Sequence, residues 1–78
     1  MQINSAVAQT IRELRNKNKV SQEKLAEAID SHQVYISEIE NGKKIPSLPV
    51  LYRIAQFFNL SLSEFSAFID DKIKEPSR

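Results

Sequence analysis

The chain has 78 residues, one histidine and no cysteine, and its eleven Lys and Arg against ten Asp and Glu leave a net charge of +1. This length is enough for one domain, residues 1–78, and the lack of cysteine excludes disulfides, thiolate metal sites and cysteine nucleophiles. His32 cannot form a metal site unaided, so no metal and no other cofactor is expected.

Neither a membrane span nor a secretory signal is expected. No apolar run approaches the roughly 20 residues that cross a bilayer. The first residues, MQINSAVAQTIREL, lack the basic region and long apolar core of a signal peptide. We therefore expect a cytoplasmic protein without a membrane partner.

The first helix is predicted over residues 6–17. Hydrophobic residues recur there with helical spacing, and no sustained alternation typical of strands occurs anywhere in the chain. Asn4 or Ser5 is expected to cap this helix, because a short side-chain oxygen satisfies a free backbone N–H group. The inner face of the helix contains Val7, Ile11 and Leu14.

Two shorter helices are predicted next. The second follows Ser21, a predicted N-cap, and is interrupted at Asp30, which tolerates left-handed backbone angles. The third covers about residues 33–41 and ends at Gly42, which adopts such angles at low cost. The inner faces of these two helices contain Leu25, Ala26, Ile29, Ile36 and Ile39.

A fourth and a fifth helix complete an all-α architecture. Ser47 is expected to cap the fourth, and Pro49 fits its first turn. The sequence Ser-Leu-Ser-Glu at residues 61–64 is a capping box that begins the fifth, predicted to reach residue 74. Residues 75–78 are expected to be a disordered tail. The apolar stripe of the fourth helix contains Leu48, Leu51, Ile54, Ala55 and Phe58.

The fifth helix, residues 61–74, is also predicted to form a dimer interface. Phe65 is expected to close the core, which leaves Phe68, Ile69 and Ile73 exposed. Exposed apolar patches commonly mark interfaces, so we predict a homodimer. The alternative is that these side chains pack back on the first and fourth helices.

Residues 21–42, SQEKLAEAIDSHQVYISEIENG, have the pattern of a helix-turn-helix, in which the second helix enters the DNA major groove. The outer face of that second helix is polar. Such faces are often merely solvated, but in this motif they meet base edges. The candidate base contacts are Gln33 to adenine N6 and N7, Val34 to a thymine methyl, Ser37 to a hydrogen-bond donor or acceptor, and Glu38 to cytosine N4.

Other residues are placed to contact DNA phosphates. Gln22 opens the first helix of the motif, where free N–H groups attract anions. Tyr35 either packs at the rim or reaches a phosphate, and His32 either contacts a phosphate or is solvated. The candidate phosphate contacts are Gln22, His32, Tyr35, Asn41, Lys43 and Lys44.

Arg15 and Glu40 lie among inward-facing residues near helix ends. We predict that they form a partly buried ion pair between the first and third helices. Removing one partner of a buried pair costs about 3–5 kcal/mol.

The chain resembles the Cro/repressor-type helix-turn-helix family, also called lambda-repressor-like or XRE. The resemblance implies a compact bundle of five helices that binds operator DNA as a homodimer. It also implies that Gln22 holds a phosphate, that the four candidate base contacts given above face bases, and that Arg15 pairs with Glu40. Restriction–modification controllers and small phage repressors are similar. Asp30 stands where the family often has Gly, and the third helix lacks the Arg that many relatives use for guanine. The matching segments are residues 11–15, 21–26, 35–42, 46–48 and 51–55.

The expected function is a transcriptional regulator, favoured to be a repressor, that binds a pseudo-palindromic double-stranded DNA operator. The alternative is a protein–protein module, such as an antitoxin or adaptor, which the small net charge favours. An enzyme is not expected, because no carboxylate cluster, glycine-rich phosphate loop or activated nucleophile is evident. No small-molecule ligand is evident, and the operator sequence and regulated gene stay open.

Overall fold

The computed structural model describes residues 2–74 and confirms the all-α architecture. None of these residues forms a strand. The expected tail at residues 75–78 lies outside the described part of the chain. The five helices are α1 (Ile3–Lys17), α2 (Gln22–Ala28), α3 (Gln33–Glu40), α4 (Leu48–Phe57) and α5 (Leu62–Lys74).

The start of α1 differs from the sequence-based expectation. The helix begins at Ile3, and its N-cap is Gln2, whose side chain makes no capping hydrogen bond. The backbone N–H of Ala6 donates to the Gln2 carbonyl at 2.9 Å, so the helical ladder continues past both expected caps. Burial of Ala6 and Val7 fixes this first turn against the core, because packing outweighs the smaller energy of a side-chain cap.

The other predicted caps are present. The Ser21 hydroxyl accepts from the Lys24 N–H at 3.0 Å, and the Ser47 hydroxyl accepts from the Val50 N–H at 3.4 Å. At the start of α5 the capping box is reciprocal. The Glu64 N–H donates to the Ser61 hydroxyl at 3.0 Å, and the Ser61 N–H donates to the Glu64 carboxylate at 2.8 Å.

Four helices end in the same way, on a residue with left-handed backbone angles. The next N–H then bonds back to a carbonyl of the last turn, as in a Schellman motif. The sequence anticipated two of these residues. The four are Lys19, Asp30, Gly42 and Asn59, with φ values of 57°, 57°, 74° and 59°.

The core fills the space among all five helices. Phe65 is fully buried, as predicted, and most predicted inner residues of α1, α2 and α3 are buried with it. In α4, Leu48 was predicted to face the core but is 63% exposed. Pro46, in the loop before α4, is buried instead. The buried hydrophobic cluster consists of Ala6, Val7, Ile11, Leu25, Ala26, Ile29, Ile36, Ile39, Ile54, Ala55, Phe65 and Ile69.

The expected exposure of α5 is wrong for Ile69. This side chain is 8% exposed, whereas Phe68 is 43% exposed and Ile73 is partly buried. Ile69 follows Phe65 by one helical turn and therefore points to the same face, and α5 packs that face against α1 and α4. The three side chains do not form one exposed patch.

Candidate nucleic-acid interface

Packing on the inner face of α3 fixes the position of its outer face. Ala26 of α2 and Ile36 and Ile39 of α3 are buried where the two helices meet, and α3 also packs on α1. The left-handed backbone of Asp30 makes the sharp turn that brings α2 and α3 together. The geometry is that of a helix-turn-helix, with one side of α3 in the core and the other facing solvent.

The four candidate base contacts lie on or beside this outer face. Gln33 and Val34 are exposed, and the Val34 side chain has no core to pack on, with 63% exposure. Ser37 and Glu38 are half-buried. The Glu38 carboxylate lies 3.3 Å from the Lys44 ammonium, so a predicted base contact is paired with a predicted phosphate contact.

Gln33 is joined to α2 by a hydrogen bond that the sequence did not indicate. Its side-chain N–H donates to the Gln22 amide oxygen at 2.5 Å. The Gln22 side-chain N–H in turn donates to the Glu40 carboxylate at 3.0 Å. A predicted base contact, a predicted phosphate contact and the buried carboxylate are therefore connected in series.

Arg15 and Glu40 form a two-pronged ion pair between α1 and α3. Arg15 donates through Nε at 2.7 Å and through a terminal nitrogen at 2.9 Å to the two oxygens of Glu40. Its other terminal nitrogen donates to the Val20 carbonyl at 3.0 Å. The Glu40 side chain is 3% exposed and that of Arg15 is 15% exposed. The hydrogen bonds to Glu40 raise the pKa of Arg15, against the opposing effect of its partial burial.

Arg12 is a further member of this cluster that sequence reasoning missed. One of its terminal nitrogens donates to the Glu40 backbone carbonyl, near the end of α3. Arg12 precedes Arg15 by three residues, which places both on one face of α1. This spacing of three residues was the feature of the sequence that could have identified Arg12 as part of the cluster. The two arginines together fix the position of the C-terminal end of α3.

Four of the candidate phosphate contacts lie at or just beyond the two ends of α3: His32, Asn41, Lys43 and Lys44. His32 is the N-cap of this helix but makes no capping hydrogen bond through its side chain. Tyr35 is half-buried and packs at the rim of the core. The Asn41 amide donates to the Ser37 hydroxyl at 3.4 Å. Lys43 and Lys44 are exposed in the loop after α3.

An apolar groove of about 510 Å³ lies on another side of the molecule, between the start of α1, the loop before α4 and one face of α5. Ile3 is 57% exposed and Ile45 is 48% exposed, and both line the groove together with Leu51 and Ile73. Phe68 lies in a separate depression beside Leu14. The sequence identified α5 as the apolar surface but missed Ile3 and Ile45.

Within residues 2–74, no group of three His, Asp or Glu side chains could hold a metal ion. In the same part of the chain, no helix is both long and apolar enough to span a membrane.

Comparisons with known proteins agree with this geometry. A helix-turn-helix family model matches residues 11–65. An uncharacterised HTH-type transcriptional regulator of Archaeoglobus fulgidus is 36% identical over 63 residues, which cover 81% of this chain and 90% of that protein. The control protein C.SmaI of Serratia marcescens is 36% identical over 62 residues, or 80% of this chain and 74% of its own. The crystal structure of the clp gene regulator ClgR from Corynebacterium glutamicum shares the fold, with a TM-score of 0.86, 23% identity and coverage of 94% of this chain and 78% of that one.

Proposed function

The chain belongs to the helix-turn-helix family of DNA-binding transcriptional regulators, which are not enzymes, and we propose that it is a repressor that binds a pseudo-palindromic operator as a homodimer. The observation that supports this most is the outer face of α3, which faces solvent, is mainly polar and is fixed by a buried layer beneath it. A helix presented in this way fits the major groove of B-DNA.

Base recognition is assigned to the outer face of α3. Gln33 offers one acceptor and one donor, which match adenine N6 and N7, and Val34 lies against a thymine methyl. Ser37 donates or accepts. Glu38 accepts from cytosine N4 once Lys44 moves from the carboxylate to a phosphate.

Phosphate contacts position the protein but carry no sequence information. Gln22 keeps one side-chain hydrogen free after its bond to Glu40, and this hydrogen is available to a phosphate oxygen. Lys43 and Lys44 supply charge next to the C-terminal end of α3. The remaining phosphate contacts are assigned to His32, Tyr35 and Asn41.

The homodimer is assigned to the apolar groove beside α5. Ile3, Ile45 and Ile73 contribute apolar surface that a second copy would cover, and Ile69 forms its floor. A two-fold dimer that binds two half-sites requires its two α3 helices to lie about 34 Å apart, one turn of B-DNA. Repression follows from occupancy, because a dimer bound over a promoter excludes polymerase.

Selection of bound sequences from random DNA duplexes tests this proposal. We expect a symmetric consensus with two half-sites about one helical turn apart. Binding to that consensus should weaken steeply as salt rises, because each neutralised phosphate releases counterions. Recovery of no consensus, together with DNA binding that does not change with salt concentration, would favour the alternative of a protein–protein module. The net charge of +1 is what suggests that alternative.

A further inference from the structure

A continuous chain of side-chain hydrogen bonds runs from the buried Glu40 to the exposed face of α3. Glu40 accepts from Gln22 at 3.0 Å, and Gln22 accepts from Gln33 at 2.5 Å. Gln33 is at the beginning of α3 and Glu40 at its end, and Gln22 of α2 connects them. The outermost member of the chain is the residue assigned to adenine.

The direction of these hydrogen bonds is set at the buried end. The Glu40 carboxylate accepts from two nitrogens of Arg15, and a carboxylate in an ion pair has no hydrogen to donate. Gln22 must therefore turn its NH₂ group towards Glu40. Its carbonyl oxygen is then left facing Gln33.

The orientation of the Gln22 amide in turn fixes the orientation of the Gln33 amide. Facing an oxygen, Gln33 must donate one hydrogen of its NH₂ group to Gln22. A flip of the Gln33 amide would place two carbonyl oxygens against each other and lose this hydrogen bond. Gln33 is thus left with one free N–H and one free oxygen for a base edge.

We propose that Glu40 is a positioning residue for base recognition: acting through Gln22, it fixes the Gln33 amide so that Gln33 reads adenine and disfavours guanine. Adenine presents one acceptor and one donor in the major groove, which match the free oxygen and N–H of Gln33. Guanine presents two acceptors, N7 and O6, and only one N–H remains to meet them. This inference rests on the proposed function, because it requires α3 to lie in the major groove.

The test measures binding to four duplexes that differ only at the base pair read by Gln33, which Gln33→Ala identifies first. The wild-type protein should prefer adenine over guanine there by roughly 5- to 150-fold, the ratio equivalent to one bidentate contact. Preference for another base at that position would overturn the inference.

Gln22→Lys is the variant that should reverse the chain of hydrogen bonds. A lysine only donates, so it satisfies Glu40 but leaves no acceptor for Gln33. Gln33 should then turn its oxygen towards Lys and present its NH₂ group to the base. The preference should shift from adenine towards guanine, while preferences at all other base pairs stay unchanged.

Glu40→Gln tests the buried origin of the effect. A glutamine at position 40 can offer either a donor or an acceptor to Gln22, so both directions become possible. The ratio of adenine to guanine binding should fall towards one at the Gln33 position only. If this variant does not fold, Gln22→Lys still decides the question, because it leaves Arg15 and Glu40 in place.

Lys43→Ala is the matched control, because loss of a phosphate contact should lower binding to all four duplexes by the same factor. The inference is overturned if Gln22→Lys keeps the wild-type ratio, or if a folded Glu40→Gln variant does so. These outcomes differ from failure of the proposed function, in which the wild-type protein binds no selected duplex.

Discussion

At the scale of single residues, the exposed side chains of α3 and the loop after it have two different tasks. Gln33 has one free donor and one free acceptor after its bond to Gln22, which suits a base edge. Lys43 is an exposed charge with a flexible stem, which suits a phosphate. The two residues should therefore respond differently to replacement by alanine.

Gln33→Ala should cost about 1–3 kcal/mol of binding free energy on the preferred sequence and relax the preference at a single base pair. Lys43→Ala should weaken binding to all sequences alike and reduce the dependence on salt by about one phosphate contact. Titration of the selected duplex and its single-base variants at several salt concentrations measures both effects. Equal effects of the two variants would contradict the division of roles.

Arg15→Met should destabilise the fold, because it removes both hydrogen bonds that Arg15 donates to the buried Glu40 carboxylate and leaves the longer contact with Arg12, at 3.9 Å, as the only ion pair of that carboxylate. We expect a loss of about 3 kcal/mol in the free energy of unfolding. For a domain of this size that corresponds to a fall of more than about 10 °C in the melting temperature. Lys24→Met, on the exposed face of α2, is the control and should shift stability by less than about 0.5 kcal/mol. A melting temperature for Arg15→Met equal to that of the control would show the ion pair to be superficial.

The sequence predicted single residues best where one residue type has one physical use. Ser21, Ser47 and Ser61 cap helices as expected, because each supplies an oxygen next to free N–H groups. It could not show that Gln22 bridges Gln33 and Glu40. Those three residues are far apart in sequence, and the link depends on how α2 and α3 cross.

At the scale of helices, the link between residue type and backbone conformation is clearest at the helix ends. Four helices end on a residue with left-handed angles, although the chain has only one glycine. Asn and Asp tolerate these angles better than other residues with a side chain. Lys19 has no such advantage, so the end of α1 is the most strained of the four.

Lys19→Gly should therefore stabilise the protein, even though glycine increases the entropy of the unfolded chain. We expect a gain of about 0.5–1 kcal/mol, measured by urea unfolding. Asn59→Gly is the matched comparison and should gain less, since asparagine already tolerates its φ of 59°. Loss of stability in the Lys19 variant would mean that its side chain makes a favourable contact that outweighs the strain.

The sequence located all five helices but misplaced the start of α1 and the exposure of Leu48 in α4 and Ile69 in α5. Burial of Ala6 and Val7 extends α1 backwards to Ile3, and a pattern of capping residues contains no information about that packing. Leu48 has the spacing of a core residue, yet it lies in the first turn of α4 and is exposed. Ile69 is buried because α1 and α4 lie on either side of α5, which only the tertiary arrangement reveals.

At the scale of the whole molecule, two surfaces have different chemistry. The outer face of α3 is mainly polar and continues into Lys43 and Lys44, whereas the groove beside α5 is apolar. A polar face with neighbouring positive charge suits DNA. The groove exposes isoleucine side chains that a second copy would remove from water, as the proposed dimer requires.

Ile3→Asp should separate the homodimer without unfolding the protomer. The residue is 57% exposed at the first position of α1, and an acidic side chain is favourable at a helix N-terminus. Sedimentation at tens of micromolar should show a dimer for the wild type and a monomer for this variant. Phe68→Ser, in the separate depression, should stay dimeric. The reverse pattern would place the interface at Phe68 instead of the groove.

The outer face of α3 is proposed to be the surface that meets DNA. The most direct measurement is an NMR titration of the ¹⁵N-labelled protein with its selected duplex, followed through the backbone amides. We predict the largest shifts at residues 33–38, with smaller ones at Gln22 and in the loop 41–44. Shifts confined to α5 and the start of α1, with residues 33–38 unaffected, would contradict the account.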